Sequence, residues 1–198
     1  MIIHLFLNKI ELYLWLNTSC KLIITNPNQD SAKNIQVLEA QDIDIALVAI
    51  PKHLSPNQKV ILEQEVEDIF VASPKYIENL KALHGNNFSL FQNATVMLMD
   101  DKNVSRHYID MYIRENQLDF KQVIALNTMD LLIDFAKIDM GISCVIRSFV
   151  EKDLENGSLV EIHLTSPIPK RKIGFMYHAN NCSKSLESFL SFLEKEKD

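Results

Sequence analysis

The chain has 198 residues, 47% of them hydrophobic, and a formal net charge of −6. That length fits one domain or two small lobes, and the apolar content excludes a disordered chain. No dense Lys/Arg cluster provides the positive footprint that nucleic acid needs, and no apolar run reaches the roughly 18 residues of a membrane span.

Ile2 to Leu16 reads as a helix, with Ile3, Phe6, Leu7, Ile10 and Leu14 in one stripe at helical spacing. Leu5, Leu12, Trp15 and Leu16 add apolar surface off that stripe, so more than one side should be buried. The segment lacks a basic flank and an Ala-x-Ala-like cleavage site, which argues for a core helix and against a secretion signal. Lys21 to Thr25 reads as a strand and Ser31 to Ala40 as a helix with Ile35 and Leu38 inward. Ile43 to Ile50 is nearly all apolar, as expected of a parallel strand covered on both faces and ended by Pro51.

Val60 to Glu65 and Asp68 to Ala72 follow as strands. Ser73 and Pro74 are the N-cap and first residue of a helix reaching about Leu83. Beyond the loop at His84 to Asn87, strands are expected at Ala94–Met99, Phe120–Leu126, Ile142–Ile146, Leu159–Leu164 and Lys172–His178. Helices are expected at Asn103–Asn116, at Thr128–Ile138 with Leu131, Leu132, Phe135 and Ala136 apolar, and at the C-terminus. The last helix places Leu186, Phe189, Leu190 and Leu193 on one face, with Ser183 near its N-cap. Alternation of strands and helices predicts an α/β fold with mixed, mostly parallel sheets.

The residues offer little chemistry. The three cysteines, Cys20, Cys144 and Cys182, have no C-x-x-C spacing, so a disulfide framework is not expected and a reducing cytoplasm is the simplest setting. The six histidines are scattered without ligand spacing. No nucleophile-elbow, zinc-protease or P-loop motif occurs, and four glycines are too few for Gly-rich phosphate loops. Asp100 and Asp101, beside Lys102 at a strand end, read as a solvated loop start, and Cys144 as an inert buried thiol. No catalytic residue, metal ligand or cofactor is expected.

The run Met140-Gly141-Ile142-Ser143-Cys144-Val145-Ile146, then Glu155-Asn156-Gly157-Ser158-Leu159-Val160, with Asp44 upstream, Ser105-Arg106 and Ile109-Asp110 in one helix and Arg171 before the return strand, resembles the effector-binding half of LysR-type transcriptional regulators. The resemblance runs from about Ile3 to Leu193. It departs at Gln41 and Asp139, where the family usually has Gly, and at Ile146, where it has Pro. It implies the two-lobed fold of type 2 periplasmic binding proteins, with residues 1–71 plus 172–198 as one lobe and 72–171 as the other. Crossings are expected near Asp68–Ala72 and Pro167–Ile173. It also implies a further strand ahead of Ile3 and a DNA-binding helix-turn-helix domain, neither within these residues.

The implied function is binding of a small metabolite, without catalysis, by a regulator that touches DNA only through that other domain. A free-standing solute-binding protein of the same fold is the alternative. Ligands of open α/β sheets sit at strand carboxyl ends and helix N-termini. This marks Asn26, Ala49, Ile50, Pro51, Asn103, Ser105, Asn127 and Thr128 as candidate contacts. Helix capping alone would also explain Asn103, Ser105, Asn127 and Thr128. Family resemblance further implies a homodimer, and a higher oligomer of the full-length protein. In it the first helix, through Leu5, Leu12, Trp15 and Leu16, meets Tyr108, Met111 and Tyr112 of a partner.

Overall fold

A computed structural model describes residues 31–51, 53–101, 103–180 and 182–195. The helix expected over Ile2–Leu16 and the strand over Lys21–Thr25 lie outside them. The chain divides into two compact units, Met1–Gln64 with Lys172–Asp198, and Glu65–Arg171.

In the first unit, helix α1 (Ser31–Glu39) precedes strand β1 (Ile45–Ala49). Strands β2 (Gln58–Val66) and β8 (Arg171–His178) complete a three-stranded sheet of order β1-β8-β2. β1 runs antiparallel to β8, with Ile45 opposite Tyr177 and Ala49 opposite Ile173. It buries Ala46 and Val48 and leaves Ile45, Leu47 and Ala49 half-buried. The expected parallel strand, sealed on both faces, is therefore an alternating one among the described residues. Leu38 of α1 packs on Ala46, Val48 and Met176, with Ile35 beside them. Helix α7 (Lys184–Lys195) starts where the Ser183 hydroxyl accepts from the Leu186 amide at 3.2 Å, and it buries Leu186 and Leu193.

The second unit holds a five-stranded sheet of order β5-β4-β6-β3-β7. Strand β3 (Asp68–Ala72) pairs antiparallel with β6 (Ile142–Ile146) and with β7, which spans only Val160–Glu161. The sheet continues through β4 (Thr95–Met99), parallel to both β6 and β5 (Gln122–Leu126). Parallel pairing is thus confined to one half of this sheet, which is mixed. β3 is buried at every position, as befits a strand flanked on both edges and covered on both faces. Because β3 belongs to this sheet, the first division falls at Gln64/Glu65, ahead of the crossing expected near Asp68–Ala72.

Helices α2 (Pro74–His84), α4 (Val104–Glu115), α5 (Met129–Lys137) and the short α6 (Glu151–Glu155) belong to this unit. The Ser73 hydroxyl accepts from the Tyr76 amide at 3.0 Å, capping α2 as expected. A one-turn helix α3 (Leu90–Asn93), not anticipated, positions Phe91 against Phe70 and Phe120, with ring centroids 5.2 and 5.1 Å away. Phe120 belongs to this aromatic cluster and not to β5. Helix α5 buries Met129, Leu132, Ile133 and Ala136. Leu131, expected with the apolar face, stands 37% exposed because it is one step round the helix from Leu132. The strand expected over Leu159–Leu164 is short because β3 offers it only Val71 and Ala72 as ladder partners.

Three of the helices end alike. Gln41, Gln117 and Asp139 adopt φ of 64°, 53° and 66°. The next amide, of Asp42, Leu118 or Met140, reaches back to the Val37, Ile113 or Phe135 carbonyl at 3.0–3.1 Å. This is the left-handed helix stop that usually carries glycine. Gly141 has a different reason to be glycine: a Cβ there would lie 2.5 Å from the Thr95 carbonyl oxygen. The start of β6 needs that close approach to pair with β4.

Candidate functional site

The carboxyl ends of β4 and β5 lie side by side in the second unit. They are joined where the Asp100 amide donates to the Leu126 carbonyl at 2.8 Å. Each strand is followed at once by a helix N-terminus. At α4 the Asn103 side chain accepts from the Ser105 amide at 2.8 Å, and at α5 the Thr128 hydroxyl accepts from the Leu131 amide at 3.3 Å. Asn103 and Thr128 are therefore the caps, and Ser105 lies inside the helix. Each side chain satisfies one of four orphan N–H groups. The remaining amides and the two aligned dipoles leave partial positive charge at this sheet end. Asn127 and Thr128 are exposed and Asn103 is half-buried. Asp100 and the exposed Asp101 bring negative charge to the same rim. The Asp100 Oδ1 is buried and meets no hydrogen-bond donor.

Ser105 is 5% exposed and turns away from the rim. Its hydroxyl accepts from the Arg171 Nη2 at 2.8 Å. Arg171 in turn grips Asp68 through two bonds of 2.6 and 3.1 Å, and its guanidinium lies 5.8 Å from the Tyr108 ring centroid. The two charged side chains are 7% and 2% exposed. Buried charges of this kind persist only when paired and hydrogen-bonded. Cys144, alongside, has its thiol pushed well above the usual range by burial and then by the Asp68 charge, so it stays protonated. The void bounded by Asp68, Ser105, Met129 and Cys144 is about 10 Å³, room for one water at most. The cluster is a framework beneath the helix ends. Arg106 adds a second brace, donating to the Met99 carbonyl at 2.8 Å and to Asp110 at 2.7 Å.

Asp68 is not among the candidate residues of the sequence. Its signal is nonetheless local: a lone acid opening an otherwise apolar strand requires a cation once that strand is buried, and Arg171 provides it.

Of the other candidates, Ala49, Ile50 and Pro51 lie in the first unit, where the Ile50 amide donates to the Lys172 carbonyl at 2.9 Å. The structure brings Asn103, Asn127 and Thr128 to one sheet end, with Ser105 beneath. Asn26, Leu5, Leu12, Trp15 and Leu16 lie outside the described residues. Met111 is 48% exposed, whereas Tyr112 is 5% exposed and donates its hydroxyl to the Ser166 carbonyl. Tyr112 therefore belongs to its own chain's core and offers no surface to a partner. The Tyr108 hydroxyl is likewise held, by the Pro169 carbonyl at 2.7 Å. Among the described residues no group of three His, Cys, Asp or Glu gathers as a metal site, and no helix is long and apolar enough to cross a membrane. A larger recess of about 270 Å³, lined by Leu38, Gln41, Ile43, Asp44, His178, Cys182 and Ser183, lies in the first unit at the amino end of β1.

No curated protein matches the chain. Solved structures do. The regulatory domain of CcmR from Synechocystis PCC6803, in complex with 2-PG, has a TM-score of 0.72 at 12% identity, covering 98% of this chain and 91% of that one. The regulatory domain of MetR from N. meningitidis, a LysR family regulator, has a TM-score of 0.70 at 14% identity, with coverage of 98% and 87%. The bromide-bound regulatory domain of HypT from Salmonella typhimurium has a TM-score of 0.66 at 13% identity, with coverage of 84% and 78%. At these identities the likeness establishes the mixed α/β fold of LysR effector-binding domains, which is that of periplasmic binding proteins. The LysR substrate binding domain matches residues 28–198. With so much of the sequence matched and that fold in place, this chain belongs to the LysR substrate binding domain family, the effector-binding part of LysR-type transcriptional regulators.

Proposed function

We propose that the chain binds a small polar metabolite against the first turns of α4 and α5 and reports it to a DNA-binding domain elsewhere in the regulator. One observation carries this reading: two helix N-termini open at the joined carboxyl ends of parallel strands β4 and β5. Unpaired N–H groups there suit a carboxylate or similar acceptor. Asp100 and Asp101 disfavour a simple polyanion and favour a ligand that also carries a donor. The family relation supports a small ligand, and the CcmR and HypT regulatory domains hold 2-PG and bromide.

On this reading the ligand leaves unchanged, and no cofactor takes part. It acts only through different affinities for two arrangements of the regulator. The protein would work in the cytoplasm as a homodimer and, at full length, as a higher oligomer.

A thermal-shift screen of hydroxy- and amino-carboxylates, followed by calorimetric titration, tests the proposal. The tightest ligand should lose about five- to tenfold in affinity on Asn127→Ala or Thr128→Ala, the loss of one hydrogen bond. Thr128→Ala also removes a cap worth about 1 kcal/mol, so affinity is the readout and not melting temperature. Unchanged affinity in both variants would place the site elsewhere.

A further inference from the structure

The segment Ser166-Pro167-Ile168-Pro169-Lys170-Arg171 leaves a bend at Thr165 and Ser166 and then runs without turn or bend from Pro167 to Lys170 as a stiff rod. Each proline fixes its own φ and disfavours helical backbone at the residue before it, Ser166 or Ile168. Up to Arg171 the rod belongs to no strand, so its carbonyls need other donors.

Helix α4 supplies two of them. Tyr112 donates its hydroxyl to the Ser166 carbonyl, and Tyr108 donates to the Pro169 carbonyl at 2.7 Å. Between these ties Ile168 is 5% exposed and packs in the same core as Ile109 and Tyr112. At the far end Arg171 donates to the Ser105 hydroxyl at 2.8 Å and lies 5.8 Å from the Tyr108 ring centroid. Ser105, Tyr108 and Tyr112 are spaced i, i+3, i+7, one face of a helix. Their partners, Arg171, Pro169 and Ser166, run in reverse order. The rod and the helix are therefore antiparallel and joined at three points.

We propose that α4 and the rod Ser166–Arg171 form one cooperative body that opens and shifts together. Whatever engages the first turn of α4 is then carried along the rod to Arg171, the last residue before the chain re-enters the first unit. That consequence rests on the reading of α4 as an effector-holding helix. The joint body does not, and its test needs no ligand.

Native-state hydrogen exchange, resolved by residue, compares the unaltered chain with Tyr112→Phe and Ser105→Ala. These variants cut single ties at opposite ends of the joint. The reporters are amide exchange at His107 to Glu115 in α4 and, for the rod, native-state thiol labelling of Ile168→Cys, at a side chain that is 5% exposed, followed in each background. Either variant should speed both by the same factor, about fivefold for one lost hydrogen bond. Amides of α2 should not change. Exchange rising in the helix without faster labelling in the rod, or the reverse, would overturn the proposal. So would an equal rise across the whole second unit, or no rise in either reporter.

Discussion

Arg171 carries a guanidinium group with no acceptor and is nearly sealed from solvent, so the groups around it must match it. Asp68 matches the charge and Ser105 takes a remaining donor. Arg171→Met leaves Asp68 buried without a counter-charge and should cost about 3–5 kcal/mol in urea unfolding. Ser105→Ala leaves the ion pair intact and should cost only about 1–2 kcal/mol. Equal losses in the two variants would mean that the serine, and not the ion pair, organises the cluster. At Gln41 the strain is in the backbone: φ of 64° is costly for a residue with a Cβ. Its side chain is exposed, so Gln41→Gly should stabilise the chain by about 1 kcal/mol, seen as a raised melting temperature.

Among elements, the end of α5 shows how one residue serves two helices. Asp139 stops α5 in the left-handed conformation and accepts from the Ser73 hydroxyl at 2.5 Å while pairing with Lys75 at 2.7 Å. It thus joins the stop of α5 to the start of α2. The Lys75 and Ser73 hydrogen bonds hold its carboxyl below the usual range. A depressed folded-state value means that this contribution is present above the unfolded value of about 4 and is lost as pH falls through the folded one. Asp139→Asn should therefore destabilise at neutral pH and have progressively less effect below about pH 4, measured by denaturant unfolding across pH 2–7. A penalty independent of pH would assign the effect to the backbone stop and not to charge.

At the scale of the whole molecule, the association proposed for the regulator can be checked on α4. Ser105, Tyr108 and Tyr112 are engaged with the chain's own return segment, whereas Met111 stands 48% exposed on the same helix. If a partner covers this helix, the chain should be dimeric at micromolar concentration by sedimentation. Met111→Glu should then weaken the dimer at least tenfold, because burying an unpaired carboxylate is costly. A dimer indifferent to that substitution would exclude α4 from the interface.

Local rules were enough for much of this protein. Apolar runs mark the strands, and Ser73-Pro74, Asn103, Thr128 and Ser183 mark helix starts, because capping depends only on neighbours a few residues away. The family could be read from the order of short motifs around Gly141, and the structure supplies the physical reason: a Cβ there would strike the Thr95 carbonyl. The sheet end bearing Asn103, Asn127 and Thr128 could also be anticipated, since a helix cap follows directly on each strand. Contacts between distant segments could not. Asp68 and Arg171 lie 103 residues apart, and no periodicity links them. Whether Ser105 faced the rim or the core depended on that pair. Strand direction was equally out of reach for β1 and β3, because an apolar strand looks the same whether its neighbour runs parallel or antiparallel. Only the assembled sheet chose its partner.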